Sequence, residues 1–192
     1  MPRVVRRLGL AAVLSTGLLG VVGARELSRV GVRQGYQPVQ PIAFSHRLHA
    51  GENKVPCLYC HFGATRSRHA GIPPAAVCMN CHALLARETP EIRKLKDAVE
   101  QGRPLAWIKV HSLPDFVYFN HSQHVLASVA CAQCHGAVEQ MTEVYQTAPL
   151  TMGFCLDCHE RLQVGAVVRE AAARPGQASP PLGGLDCGKC HY

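Results

Sequence analysis

All ten cysteines of this 192-residue chain fall into five copies of one pentapeptide: Cys57-Leu-Tyr-Cys60-His61, Cys78-Met-Asn-Cys81-His82, Cys131-Ala-Gln-Cys134-His135, Cys155-Leu-Asp-Cys158-His159 and Cys187-Gly-Lys-Cys190-His191. C-x-x-C-H is the attachment signature of c-type haem. Its two thiols form thioethers to the haem vinyl groups, and the adjacent histidine lies under the iron as proximal ligand. No cysteine is left over, so the motifs predict five covalently bound haem c groups and five iron ligands, His61, His82, His135, His159 and His191.

Other readings of C-x-x-C account for less. A disulfide framework gives no reason for a histidine after every pair. Zinc ribbons use such pairs in twos, without an obligatory following histidine. Thioredoxin-like redox motifs need a βαβ context that this sequence lacks. The composition agrees with haem. Charged residues are only 17% and aromatics 6%, while 17 glycines and 13 prolines favour loops over long regular elements. The apolar core is thin for this length, and five macrocycles would fill it as a metal staples a small domain. Ten ionised propionates would also reverse the formal net charge of +7, so the basic balance does not argue for nucleic-acid binding.

The N-terminus carries Arg3, Arg6 and Arg7, then seventeen uncharged residues from Leu8 to Ala24, then Arg25-Glu26. Basic residues before an apolar run predict a cytoplasmic N-terminus and an exported remainder, and bacterial haem c attachment is periplasmic. Seventeen residues suit either a short spanning helix or a cleaved signal, with Val22-Gly23-Ala24 as the cleavage site. Gly9, Gly17, Gly20 and Gly23 would suit packing against other membrane helices. The chain divides into a basic flank (1–7), an apolar helix (8–24), a linker (25–41) and a haem domain (42–192) of two modules, about 42–101 and 102–192.

The modules form a pseudo-repeat. Phe44-Ser-His46-Arg-Leu-His49 precedes the first haem motif, and Phe119-Asn-His121-Ser-Gln-His124 precedes the third. Six histidines lie outside the C-x-x-C-H motifs: His46, His49, His69, His111, His121 and His124. An HxxH pair sets two imidazoles on roughly one side of a helical turn, where they can serve two neighbouring haems. His46 and His121 are expected to ligate the haem of the following motif, and His49 and His124 its neighbours. His69 is the fifth choice; His111, Met152 and Met141 are weaker axial candidates, a His/Met pair raising the potential. The modules are joined by one legible helix, with Thr89 as N-cap, Pro90 at its first position, Ile92, Leu95 and Val99 on one face and Gly102 as stop. Residues 174–184 read as a linker to the last motif. Irons capped on both sides leave no place for a small substrate, which argues for electron transfer over catalysis at haem.

Five stretches carry a family resemblance: Pro41-Ile-Ala-Phe-Ser-His-Arg-Leu-His-Ala-Gly, Arg66-Ser-Arg-His-Ala-Gly-Ile-Pro-Pro, Cys78-Met-Asn-Cys-His, Val110-His-Ser-Leu-Pro-Asp-Phe-Val-Tyr-Phe-Asn-His-Ser-Gln-His and Pro149-Leu-Thr-Met-Gly-Phe-Cys. Together they resemble the pentahaem cytochrome c subunit of alternative complex III, related also to the cytochrome subunit of the quinone reductase complex. Phe154 stands where tryptophan is expected in that group. The resemblance implies a mostly irregular and α-helical, haem-packed fold of class III or c7-like modules, with one retained N-terminal transmembrane helix. It implies location at the bacterial inner membrane with the haem domain on the periplasmic side. The implied partners are an iron–sulfur subunit of molybdopterin-enzyme fold, polytopic quinol-binding membrane subunits, a monohaem cytochrome c and a terminal oxidase, with no nucleic acid. The implied role is relay of electrons rather than an enzyme's own catalysis. Two other roles suit the same motifs: a membrane quinol dehydrogenase of the NapC/NirT type, and a soluble multihaem shuttle.

Overall fold

Each haem motif is held in a helical turn. Pro56 and Pro74, both extended, open the helices that carry the first two motifs, because proline cannot donate into a first turn and its φ is already set. Asp186 opens the last by accepting from the Gly188 N–H at 3.1 Å. The His61, His135 and His191 N–H groups donate to the carbonyls of Cys57, Cys131 and Cys187 at 2.9, 3.0 and 2.9 Å. That i→i−4 closure puts the two thiols and the imidazole of each motif on one face.

These turns belong to a computed structural model that describes residues 13–24, 32–85, 88–172 and 184–191. In chain order its α-helices are α1 (13–24), α2 (Cys57–Cys60), α3 (Ala75–His82), α4 (Pro90–Glu100), α5 (His121–Leu126), α6 (Ala132–His135) and α7 (Met152–Ala172). A π-helical turn spans Arg47–Glu52, and 3₁₀ turns span Phe62–Thr65, Val138–Gln140 and Cys187–Lys189. The chain divides into two units, Met1–Arg33 and Gln34–Tyr192. In the first, residues 13–24 are helical. The basic flank, residues 8–12, residues 25–31 and residues 174–183 of the last linker lie outside the described residues. No described helix is long and apolar enough to cross a membrane.

The second unit is built by an exchange between its halves. The turn Arg47–Glu52, which follows His46, packs on the turn Val138–Gln140 behind the third haem motif. Helix α5, which begins at His121, packs on the turn Phe62–Thr65 behind the first. The hydrogen bonds repeat with the same offset: Arg47 N–H donates to the Met141 carbonyl at 2.8 Å, and Ser122 N–H to the Ser67 carbonyl at 3.2 Å. Each half therefore rests the backbone next to its histidine pair on the turn behind the other half's haem motif.

Helix α4 starts on Thr89, whose Oγ1 accepts from the Ile92 N–H at 3.2 Å, and is followed by Gly102 at φ +61°. It buries Leu95 and Ala98, with Ile92 and Val99 half-buried beside them. Glu91 in its first turn accepts from the Ala43 N–H at 2.8 Å, tying the helix to the approach to Phe44. Three glutamines at every third position strap the entry of the unit down. Gln34 Nε2 donates to the Thr147 carbonyl at 2.8 Å, Gln37 Nε2 to that of Glu143 at 3.1 Å, and Gln40 Nε2 to that of Ile108 at 2.9 Å.

A small residue is obligatory where the halves meet. A Cβ on Gly51 would drive into the Glu139 carbonyl oxygen, a backbone atom with nowhere to go. Gly51→Val is expected to cost about 1–3 kcal/mol, the usual range for overpacking a tight contact. Thermal denaturation of the haem-loaded protein reads this as a lowered Tm, and an unchanged Tm would show that the crossed contact does not carry the fold.

Candidate haem-binding site

The structure sets four of the six non-motif histidines opposite motif histidines. The ring centres of His46 and His61 are 6.4 Å apart, those of His121 and His135 6.3 Å, those of His49 and His82 6.0 Å, and those of His124 and His159 6.1 Å. Two metal–nitrogen bonds of about 2 Å each, added to the half-widths of two imidazoles, separate ring centres by about 6 Å. An axially ligated iron therefore fits each pair.

Protonation agrees with that fit. A ligating imidazole must be neutral and must offer one bare nitrogen, which a hydrogen bond at the other nitrogen secures. Nδ1 lies 2.7 Å from the Gly71 carbonyl in His61, 2.9 Å from that of Arg68 in His121, 2.8 Å from that of Ser45 in His49 and 2.8 Å from that of Asn120 in His124. A carbonyl only accepts, so Nδ1 carries the proton and Nε2 is left for metal. Burial pushes the His46 pKa down to about 4, with the neighbouring His61 and His49 adding to it. Burial likewise takes His135 down to about 4, helped by His111, His121 and His61. Both imidazoles are neutral at pH 7, as ligation requires.

The phenylalanine of each F-x-H-x-x-H run orients both of its histidines. Phe44 meets His46 edge-on (4.8 Å, 84°) and stacks on His49 (4.3 Å, 25°). Phe119 repeats this with His121 (4.7 Å, 88°) and His124 (4.5 Å, 32°). One ring thus fixes two imidazoles at a large mutual angle. The spacing of the histidines is plain in the sequence, whereas this wedge role of the phenylalanine shows only in three dimensions.

The remaining candidates lie elsewhere. His111 sits edge-on against His135 with ring centres 4.3 Å apart, too close for an iron between them, and its buried Nε2 has no hydrogen-bond partner. His69 is exposed on the loop after the first motif, where its N–H donates to Ser67 Oγ at 3.2 Å. Met141 is buried, and its carbonyl is taken up by the Arg47 N–H. Met152 is 62% exposed at the start of α7. His191 is seated on the segment before α5, pairing with Val117 in an antiparallel bridge and stacking with Phe116 at 5.9 Å.

None of the ten cysteines is paired as a disulfide. Their neighbours link the motifs. Burial raises the Cys57 thiol pKa, and Cys131, hydrogen-bonded to it, raises it further. Burial and then Cys57 and Cys81 raise that of Cys60; burial and then Cys155 raise that of Cys134; burial and then Cys190 raise that of Cys155. The attachment sites therefore follow one another in space as second, first, third, fourth and fifth. Around them Leu58, Tyr59, Phe62, Leu84, Leu85 and Phe116 are exposed on the polypeptide. These are apolar surfaces that a macrocycle would cover.

Residues 123–192 match the cytochrome c3 family. The chain carries a cytochrome c3-like multihaem domain. It is also 35% identical over 100 residues to a protein of Nitratidesulfovibrio vulgaris (strain Hildenborough) named "Menaquinone reductase, multiheme cytochrome c subunit". The matched stretch covers 52% of this chain and 47% of that protein. The chain thus spans about half the length of the curated relative it matches. Motifs, donor geometry and family agree on covalently bound haem c in several copies and on electron transfer as the chemistry.

Phe44→Ala removes two aromatic contacts, each of a kind worth about 0.5–1.5 kcal/mol. The holoprotein is expected to lose about 1–3 kcal/mol in denaturant titration, the sum of the two, with Phe44→Leu recovering part of it. The low-spin absorption of two haems, not one, should be perturbed. Perturbation of a single haem would contradict the wedge role.

Proposed function

We propose that this chain is a membrane-anchored, periplasmic pentahaem cytochrome c that relays electrons within a quinone-linked respiratory complex. The observation that carries the reading is the set of four opposed histidine pairs at ligation distance, beside a fifth motif with its own seat on Val117. His46 and His61, His121 and His135, His49 and His82, and His124 and His159 would hold four haem irons pairwise, and His191 would hold the fifth. When bound, haem c supplies a one-electron ferric/ferrous couple. The chain's residues would present imidazole nitrogens to four irons, at sites that run from the second motif through the first, third and fourth to the fifth.

The partner subunits follow from the resemblance to alternative complex III: an iron–sulfur subunit of molybdopterin-enzyme fold, polytopic quinol-binding subunits and a monohaem cytochrome, passing electrons on to a cytochrome c or terminal oxidase. A second reading reverses the direction. The Nitratidesulfovibrio relative is named as part of a menaquinone reductase, and a wire of this kind would serve delivery of electrons to a quinone equally well. The apolar run at residues 8–24 supplies the anchor in both readings.

Purification of the tagged protein from its native membrane in mild detergent, followed by mass spectrometry, tests this directly. The expected result is a chain carrying five haem masses and an intact N-terminus, together with polytopic membrane subunits and an iron–sulfur subunit. A soluble chain starting near Arg25 would reduce the role to a diffusible shuttle. For the ligands, His46→Ala or His121→Ala is expected to convert one low-spin haem into a high-spin, carbon monoxide-binding one. An unchanged carbon monoxide difference spectrum would strike that residue from the set.

A further inference from the structure

Among the four opposed pairs the ring planes divide into two kinds. They are nearly parallel in His46/His61 (6°) and His121/His135 (12°), and strongly crossed in His49/His82 (56°) and His124/His159 (63°). The parallel pairs belong to the first and third motifs, at the centre of the file; the crossed pairs flank them.

One short loop reaches both parallel pairs. The Gly71 carbonyl accepts from His61 Nδ1 at 2.7 Å, and the Arg68 carbonyl from His121 Nδ1 at 2.9 Å and from the His121 backbone N–H at 3.3 Å. The Ser67 carbonyl takes the next N–H of α5. The loop is itself held in place. A Cβ on Gly63 would lie 2.6 Å from the Ala70 oxygen and 2.9 Å from that of His69, so the turn behind the first motif is pressed against it. The Arg68 guanidinium lies 5.5 Å over the Tyr118 ring. Gly71 adopts φ +74°, where a Cβ would meet nothing within 4 Å but the backbone would be strained. The crossed pairs do not use this loop: His49 and His124 are held by carbonyls four residues earlier, Ser45 and Asn120.

Resting on the axial pairs proposed above, we propose that the Arg66–Gly71 loop is a shared positioning element that sets one imidazole in each of the two central pairs, His61 and His121, and so keeps both pairs parallel. Two parallel imidazoles act as π-donors along one direction and split the two iron d orbitals that a crossed pair leaves nearly degenerate. The central haems are thereby electronically distinct from those beside them, and one loop sets both.

Electron paramagnetic resonance of the oxidised full-length holoprotein tests this. The wild type is expected to give rhombic low-spin signals from the central pair and large-gmax signals from the flanking pair. Gly71→Val, which acts through φ alone, should shift two rhombic signals together and leave the large-gmax signals in place, with haem content unchanged. Gly71→Asn, a residue that tolerates this φ, should restore them. Should Gly71→Val yield no loaded protein, Gly71→Ala imposes the same backbone conflict with one carbon and is read in the same way. A shift confined to one signal, or spread over all, overturns the shared clamp while leaving the ligands intact. A wild-type spectrum dominated by high-spin iron overturns the axial assignment and the clamp with it.

Discussion

An imidazole that donates its Nδ1–H to the protein keeps Nε2 bare for iron, and this arrangement organises much of the unit from Gln34 onwards. Four imidazoles adopt it with a backbone carbonyl. A carbonyl is available for this only where the chain has been bent out of regular hydrogen bonding, or at the start of a short helix. The short turns, the π-helical turn at Arg47–Glu52 and the loop at Arg66–Gly71 are therefore the working elements of the fold. Longer regular helices would have consumed the same carbonyls.

The buried apolar residues among those described are few and small: Ile42, Ala64, Leu95, Ala98, Met141 and Ala148. Such a set cannot offset the conformational entropy of ordering this length of chain. The crossed packing of the halves supplies cohesion: each central histidine pair lies within one half, but the turn beside it rests on the haem turn of the other. Stability and electron transfer thus depend on the same contacts, and a change at Gly51 or Phe44 reaches both.

Much of the site is legible in the sequence because its chemistry is local. The five C-x-x-C-H turns, the two F-x-H-x-x-H runs and the cap of α4 each depend on neighbours within a few residues. What the sequence hides is long-range. Nothing in the spacing shows that α5 lies on the turn behind the first motif, or that Arg68 and Gly71 offer carbonyls to histidines of different motifs. His111 reads as a spare candidate ligand, but its contact with His135 comes from the path of the chain between α4 and α5. Helix α7 is a local feature too: the stretch after His159, Glu-Arg-Leu-Gln, is rich in helix formers and prolongs the turn of the fourth motif. The motif's own spacing gives no sign of that continuation, because a single turn is all that haem attachment requires.

The two halves repeat each other in fold but not in detail. His121 has the Arg68 carbonyl at Nδ1, whereas its counterpart His46 has a buried Nδ1 that makes no hydrogen bond to the protein. His135 has the edge of His111 against it, whereas its counterpart His61 has the Gly71 carbonyl. Hydrogen bonding at Nδ1 makes an imidazole a stronger donor to iron and lowers the potential of the metal it binds. A perfect duplication would give two equal central haems and no preferred direction between them. Each central pair has one imidazole on a backbone carbonyl, but it is the motif histidine His61 in the first and the F-x-H-x-x-H histidine His121 in the third. The duplication is thus broken in which ligand is held, and by the His111 ring against His135, while the shared loop keeps both ligand planes alike.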